Sequence, residues 1–277
     1  MRPSSLVLLL SLSVPGLASA QKKVAPPPKV VAAKPAAPAP GAIDAARVAL
    51  VGADSAKAIA AAGDLAKTKS AAALDALLDG LATGLAPDVA QAAIDALREH
   101  RSAQAVDVLL VYAGHRHPGV RAKAVLALGS LDDKRADKAW RRAFSDQDKA
   151  VRAAAASIAA AKKDTASAPT LVTLMKKGDP VGVEVANLAT PDIVRNAAEL
   201  IGEVPDGILA QCLGAMLLRE NLGKEDIYLE LVRALAKIPG PEAVKALEAY
   251  VAATPEKPPR QSRREAQTMA EQKGGKK

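Results

Sequence analysis

The sequence predicts an all-α fold in which pairs of helices stack into an α-α superhelix, an arrangement called an α-solenoid. Between residues 42 and 254, apolar side chains recur at spacings of three and four, which is the period of a helix and not of a strand. Alanine, a strong helix former, is the largest part of the 49% hydrophobic fraction. Matching residues also return every 31 positions, which indicates repeated units.

Residues 1–20 have the three parts of a secretory signal peptide. Arg2 provides the positive start, a leucine-rich apolar stretch follows, and small residues form a cleavage site between Ala20 and Gln21. The apolar stretch is shorter than the roughly 20 residues that a membrane-spanning helix needs. We therefore predict an exported protein, periplasmic or extracellular, whose mature chain has no integral membrane span. The alternative is that the signal stays attached as an anchor.

Residues 21–41 and 255–277 are predicted to lie outside the solenoid, which then covers residues 42–254. The first segment carries six prolines among alanines, valines and four lysines, a composition that favours an extended, disordered linker. The second segment opens with three prolines and lacks apolar periodicity. A short helix over residues 261–272 is compatible with it, but the pattern predicts a flexible basic tail.

The positive charge is predicted to lie in these ends. The chain has a formal net charge of +8, and the signal, linker and tail together carry +9, so residues 42–254 sum to −1. Nucleic-acid-binding domains need a basic face on the fold to neutralise phosphates, and aromatic residues, which stack on bases, make up only 2% of this chain. We therefore expect no nucleic-acid partner, and only weak, salt-sensitive contact of the tails with anionic surfaces.

Helix boundaries follow from glycine stops next to aspartate or proline starts. They predict roughly a dozen helices, with no convincing strand. The breaks fall at residues 52–54, 83–84, 114–118, 129–133, 146–148, 178–180, 205–207 and 239–241.

The 31-residue period joins these helices into pairs. Val89, Val120 and Val151 are separated by 31 residues each, and the last two are followed by Arg121 and Arg152. The preceding helices keep the same offset, with Leu78, Leu109, Trp140 and Leu171. Each unit is therefore two helices, and an alanine-rich pair needs its neighbours to cover its apolar side.

These motifs resemble HEAT repeats, close to the short variety named after phycobilisome lyases. The match is carried by residues 118–129, 148–158 and 192–202, each with a Val-Arg pair followed by small apolar residues. It covers about residues 70–253 and weakens after Asp179, because Val151 and Val194 are 43 residues apart. The resemblance implies a right-handed solenoid that binds other proteins.

The resemblance also implies a structural role for three arginines. Arg121, Arg152 and Arg195 stand where such repeats use an arginine to tie neighbouring units to a turn aspartate such as Asp148. The alternative is that these arginines contact a ligand.

Signatures of catalysis, metal binding or cofactor binding are scarce. His115 and His117 share a turn but have no third ligand at metal spacing, so we interpret them as solvated loop residues. Cys212 lies on an apolar helix without a basic neighbour, which is typical of a packing thiol. Trp140 and Phe144 share one helix face at core positions. We predict no enzyme, no metal and no cofactor.

A candidate partner-binding row lies on the second helix of three successive units. In solenoids these helices usually line the concave surface, and a 100° rotation per residue places small, mostly uncharged side chains opposite the buried side. The row consists of Gln91, Ile94 and Asp95, then Ala122, Val125 and Leu126, then Ala153, Ala156 and Ser157. Such a row suits an extended peptide or a partner's helix. The alternative is that it packs against neighbouring helices.

The sequence therefore predicts a non-enzymatic scaffold or adaptor that binds an unidentified protein in a bacterial cell envelope. A second hypothesis is a tether that binds cell wall or lipid through its basic tails, with the solenoid as a spacer. A third hypothesis is an enzyme built on similar repeats. It is disfavoured because this sequence lacks the constellation of carboxylate and aromatic side chains that such chemistry needs.

Overall fold

The computed structural model of the protein describes residues 41–255 and 260–275. The predicted signal peptide and all but the last residue of the predicted linker lie outside these residues. The described residues form fourteen α-helices and four 3-10 helices, and no strand. The α-helices are α1 Ala42–Leu50, α2 Ser55–Lys67, α3 Ala71–Ala82, α4 Pro87–His100, α5 Val106–Tyr112, α6 Pro118–Gly129, α7 Lys134–Arg142, α8 Lys149–Lys162, α9 Ala168–Lys176, α10 Pro191–Ala198, α11 Asp206–Leu217, α12 Glu225–Lys237, α13 Pro241–Ala253 and α14 Gln261–Gly274.

The helices form two layers, as the repeat pattern predicted. The second helices of successive pairs, α2, α4, α6 and α8, each pack on the next, and α11 and α13 continue this inner layer. The first helices, α1, α3, α5 and α7, form the outer layer, which α10, α12 and α14 continue. Because every pair lies against the previous one, the chain buries its apolar side chains between repeats.

Aspartate, serine and threonine side chains start many of these helices, as the breaks in the sequence indicated. The carboxylates of Asp54, Asp133 and Asp148 accept hydrogen bonds from the first free backbone N–H groups of α2, α7 and α8. Ser70 and Thr190 do the same for α3 and α10. Proline at the first turn of α4, α6 and α13 adds no unsatisfied donor there.

The loss of register after Asp179 has a structural cause. A 3-10 helix, Pro180–Leu188, takes the inner-layer position between α8 and α11, where the other pairs have an α-helix. Gly182 is buried in this segment, and a Cβ atom added to it would lie 2.5 Å from the backbone nitrogen of Met175. The segment therefore packs backbone to backbone on α9, and the shorter element shifts the sequence spacing of the following pairs.

The core consists of two hydrophobic clusters that meet at α6 and α7. One includes side chains from Leu50 to Ala136, and the other extends from Val125 to Ala270. Small residues set the distance between helices: a Cβ added to Gly129 would lie 2.4 Å from the Ile158 side chain. Alanine and glycine thus allow adjacent inner helices to approach closely.

The prediction of a flexible tail is wrong for residues 261–274, which form α14 and pack against α12 and α13. Ser262 is buried; its hydroxyl lies 2.7 Å from the Tyr250 hydroxyl, and its N–H donates to Glu225 at 2.7 Å. Ala266 and Ala270 are buried as well. The sequence pattern did not predict this packing, because α14 buries only one side. The side chains buried there are two alanines and one serine, which give no clear apolar periodicity. No helix in the described part of the chain is long and apolar enough to cross a membrane.

Candidate functional site

Arg121 joins the third and fourth helix pairs. Its guanidinium donates to both carboxylate oxygens of Asp146, at 2.9 and 2.8 Å, and to the backbone carbonyls of His115 and Arg116. Both side chains of this ion pair are only 17% exposed. The hydrogen bond from Arg121 holds the pKa of the Asp146 carboxyl below its ordinary value, although partial burial acts in the opposite direction.

Arg152 repeats this arrangement at the next junction. It donates to the Asp179 carboxylate at 2.6 Å and to the carbonyls of Asp146 and Gln147 at 2.8 Å. The predicted aspartate for Arg121 was wrong: Asp148 caps α8 by accepting from the Ala150 N–H, and Asp146, two residues earlier, binds the arginine.

Arg195 does not belong to this series. It lies on α10, a helix of the outer layer, and is exposed. Its guanidinium contacts Asp192 on the same helix at 3.1 Å and Glu230 on α12 at 3.8 Å. The sequence motif around it matches that of Arg121, but after the register shift the same residues occupy the other layer.

At a second kind of junction, a side chain of one repeat donates a hydrogen bond to a backbone carbonyl at a helix C-terminus of the preceding repeat. The Tyr112 hydroxyl donates to Leu81 O at 2.7 Å, the Lys162 ammonium to Leu131 O at 3.3 Å, and Lys273 to Ile238 O at 2.6 Å. In each case the donor comes from a later repeat than the carbonyl. These bonds replace intrahelical partners that the last turn of a helix lacks.

The structure buries three residues of the predicted partner-binding row and leaves the others at least partly accessible. Its central members, Ile94, Val125 and Ala156, are at most 1% exposed and lie in the core, so they cannot contact a partner. Here the alternative holds, because each inner helix is packed on both sides by its neighbours. The other members are Gln91, Asp95, Ala122, Leu126 and Ala153, which are half-buried, and Ser157, which is exposed.

The accessible part of the row is less apolar than expected. Asp95 forms an ion pair with Lys123 at 2.6 Å across α4 and α6. Leu126 contributes its apolar side chain, and Ala122 and Ala153 are too small to cover the surface beside it. The surface is therefore shallow, with one larger apolar side chain near its middle.

The side chains that could take part in chemistry occupy structural positions. Cys212 is fully buried, and burial raises the pKa of its thiol to about 12, so it stays protonated at neutral pH. His115 stacks on Tyr112, and its Nδ1 accepts the N–H of His117 at 3.1 Å. Trp140 is buried with Phe144 in an edge-to-face pair. Within the described ranges, no group of three potential metal ligands comes together.

The sequence reasoning missed a basic surface on the outer layer. Lys134, Lys138 and Arg142 are exposed on α7, where they alternate with the buried residues Ala136 and Trp140. A count of charges within single helices would have found this surface, whereas the sum over residues 42–254 conceals it.

Comparisons with known proteins agree with this architecture. Residues 74–142 match the family model for HEAT repeats. No curated protein matches the chain in sequence. The karyopherin Kap121p bound to the extreme C-terminus of the protein phosphatase Cdc14p is 12% identical, with a TM-score of 0.55, over 84% of this chain and 33% of that one. The same karyopherin bound to Ste12p gives a TM-score of 0.54 with the same identity and coverage.

A further similarity is to the complex of CpcE and CpcF of phycocyanin lyase from Nostoc sp. PCC7120, with 18% identity and a TM-score of 0.44 over 89% of this chain and 99% of that one. The chain spans only about a third of the length of the karyopherin. The chain therefore matches the HEAT repeat family over residues 74–142, and its described part has an α-solenoid fold.

Proposed function

We propose that this protein is a non-enzymatic scaffold or adaptor that binds a partner protein along its solenoid. The observation that carries the proposal is the continuous stack of helix pairs, whose junctions are fixed by the Arg121–Asp146 and Arg152–Asp179 ion pairs. Such a stack exposes an extended surface while it keeps each repeat in register, which is how solenoids present binding sites. The similar karyopherin was solved bound to the extreme C-terminus of the protein phosphatase Cdc14p and bound to Ste12p, which supports the same use here.

The inner layer is the first surface to test. Leu126 lies on α6 beside Ala122 and the Lys123–Asp95 ion pair, so a partner's apolar side chain could pack against it. Replacing Leu126 with Glu introduces a charge at the centre of the proposed contact. The residue is half-buried at the edge of the core, so we expect α6 to stay helical after the change.

The experiment is an affinity capture from envelope extract with residues 21–277, comparing the wild type, Leu126→Glu and a control, Ala215→Glu. Ala215 is an exposed residue of α11 in the same layer, outside the row. We expect a discrete protein that resists high salt, is lost with Leu126→Glu and is retained with the control. Equal capture by both variants, each with unchanged helicity by circular dichroism, would remove Leu126 from the binding surface.

The envelope location is a separate part of the proposal. It rests on the signal pattern before Gln21. Expression of the full chain in a bacterium and mass measurement of the purified protein should show cleavage after Ala20. An intact mass that includes residues 1–20 would favour the retained anchor.

The tether hypothesis is less favoured by the structure than it was by the sequence. Three of the cations counted in the basic tail interact with the fold: Arg260 lies over the Tyr228 ring, Arg263 donates to Thr254 O, and Lys273 donates to Ile238 O. The capture experiment includes a bait that begins at residue 41. If only the longer bait retains material, and salt releases it, the linker lysines carry the affinity.

A further inference from the structure

Charge is strongly segregated along the solenoid. Residues 101–177 contain 15 basic and 7 acidic residues, whereas residues 178–254 contain 6 basic and 12 acidic residues. The near-zero sum for the folded part is therefore a cancellation between a basic middle and acidic flanks.

Ion pairing within the fold removes most of the acidic residues in the basic segment. Throughout residues 101–177, all of which the structure describes, the exposed side chains that form no ion pair include a single carboxylate, Asp132. The unpaired and exposed cations are Arg101, Arg116, Lys134, Lys138, Arg142, Lys149, Lys163 and Lys177. This part of the surface therefore attracts anionic partners.

The outer face of α7 concentrates three of these cations. Lys134, Lys138 and Arg142 are four residues apart, so they project from one side of the helix at intervals of about 6 Å. The neighbouring Arg135 and Arg141 are held by Asp107 and Asp164. Lys134, Lys138 and Arg142 form a basic row that no carboxylate in the described part of the chain neutralises, whereas the arginines beside them are held in ion pairs.

An apolar groove lies along α5, the neighbour of α7 in the outer layer. The groove lies between α3 and α5 and has a volume of about 500 Å³. The α3–α5 groove is lined by Leu85, Val108 and Val111, and Val111 is 74% exposed. Val111 stands 31 residues before Arg142, at the equivalent position of the preceding repeat. The Arg135–Asp107 ion pair shows that α5 and α7 are neighbours here.

We propose that the outer face of α7 and the adjoining α3–α5 groove form a docking surface for an acidic amphipathic helix of a partner protein. Carboxylates one helical turn apart on the partner would pair with Lys134, Lys138 and Arg142, and its apolar side would cover Val111. This inference rests on the proposed function as a protein-binding scaffold, and it assigns the partner's chemistry and a second surface.

The observations favour a protein over a nucleic acid. All five aromatic side chains lie among the described residues and are buried, so none can stack on a base. A phosphate backbone would use the cations but would leave the groove empty. An amphipathic helix uses both features, because it presents charge and apolar area along one side.

The test uses the chain from residue 21 and a synthetic helical peptide of roughly 18 residues with glutamates every fourth position and leucines on the adjacent side. Binding is measured by fluorescence anisotropy at about 50 mM and about 300 mM salt. The double variant Lys138→Glu/Arg142→Glu should weaken binding at least about tenfold at low salt, since two attractive pairs become repulsive. Val111→Ser should weaken it about threefold or more at both salt concentrations, because the apolar contact is not screened.

Lys245→Glu is the matched control, since it reverses an exposed lysine on α13 and should change binding less than about twofold. A DNA duplex and vesicles of anionic phospholipid are the competing probes. Absence of peptide binding, or equal loss with Lys245→Glu, would overturn the docking surface. Tighter binding of DNA or vesicles, insensitive to Val111→Ser, would assign the basic row to a polyanion instead.

The two proposals fail separately. A partner captured through Leu126, with Lys138→Glu/Arg142→Glu having no effect on peptide binding or capture, would overturn only the α7 surface. Failure of every bait to capture a protein, together with absence of peptide binding, would overturn both.

Discussion

At the scale of single residues, small side chains and paired charges decide how the repeats fit. Gly182 allows the 3-10 segment to lie on the backbone of α9, and Gly129 allows α8 to approach α6. Arg121 and Arg152 each bind a carboxylate of the following repeat and two carbonyls of their own turn. These positions fix the geometry between units, which the hydrophobic effect alone does not specify because it has no direction.

Gly182→Ala should destabilise the protein strongly. The added Cβ would lie 2.5 Å from Met175 N and 2.6 Å from Leu171 O, both backbone atoms that cannot rotate away. We expect a loss of roughly 2–4 kcal/mol in the free energy of unfolding, measured by urea denaturation. The control is Gly63→Ala, an exposed position of α2 with no atom within 4 Å of the new Cβ, which should stabilise by about 0.5–1 kcal/mol. Equal effects of the two changes would contradict the close packing.

The ion pair of Asp146 predicts a pH dependence. Because Arg121 lowers the pKa of this carboxyl in the folded state, the pair stabilises the fold above the ordinary aspartate pKa, and this contribution is lost as the pH falls through the lowered value. Asp146→Asn should therefore cost roughly 1–3 kcal/mol near pH 7, and the difference from wild type should shrink as the pH falls below the ordinary aspartate pKa and through the lowered one. Urea denaturation at several pH values measures it. A difference that stays constant with pH would show that the charge of Asp146 is unimportant.

At the scale of elements, α14 closes the C-terminal end of the stack. It covers α12 and α13 with the buried side chains Ser262, Ala266 and Ala270, and an Arg233–Glu265 ion pair adds a contact between α12 and α14. It thus occupies the position that the first helix of another repeat would take. Terminal repeats need such a cover, since their outer face has no neighbour.

Deleting residues 255–277 should lower the thermal midpoint and the stability of α12 and α13. The deletion exposes Tyr250 and removes the Ser262 hydrogen bonds to Tyr250 and Glu225, so we expect a loss of roughly 2–4 kcal/mol. Differential scanning calorimetry measures it. As the control, a chain that begins at residue 41 should keep the midpoint of the longer protein. If the C-terminal deletion leaves the midpoint unchanged, the packing of α14 contributes nothing to stability.

At the scale of the whole molecule, the stack behaves as a series of neighbours and not as one core. Two hydrophobic clusters meet at α6 and α7, and charge changes sign along the same axis, with a basic middle between acidic flanks. Stability in such an array is a sum of local and nearest-neighbour contributions. A change in one cluster should therefore act mainly on its own side.

Hydrogen exchange can test this division. Leu77→Ala, in the first cluster, should reduce amide protection by roughly 2–4 kcal/mol in α3 and α4 and leave α11 to α13 close to wild type. Leu213→Ala, in the second cluster, should give the reverse pattern. Uniform loss of protection along the chain in both variants would mean that the molecule unfolds as one cooperative unit.

Particular residues show which features of the fold can be predicted from the sequence and which cannot. The 31-residue period placed Trp140 and Leu171 in the core correctly, because core positions follow from helical periodicity. The same period could not say which side of α4, α6 and α8 stays accessible, and Ile94, Val125 and Ala156 are buried. Their exposure depends on how many helices surround each inner helix, and a single helix does not contain that information.

By itself, the sequence determined that this chain is a stack of helix pairs, of which residues 74–142 match HEAT repeats, because apolar period, helix caps and repeat length are local properties. Only the tertiary structure decided the acceptor of Arg121, the layer of Arg195, the docking of α14 and the outward position of Lys138. Each of these depends on the distance between residues of different repeats, which is set by how closely small side chains let the helices pack.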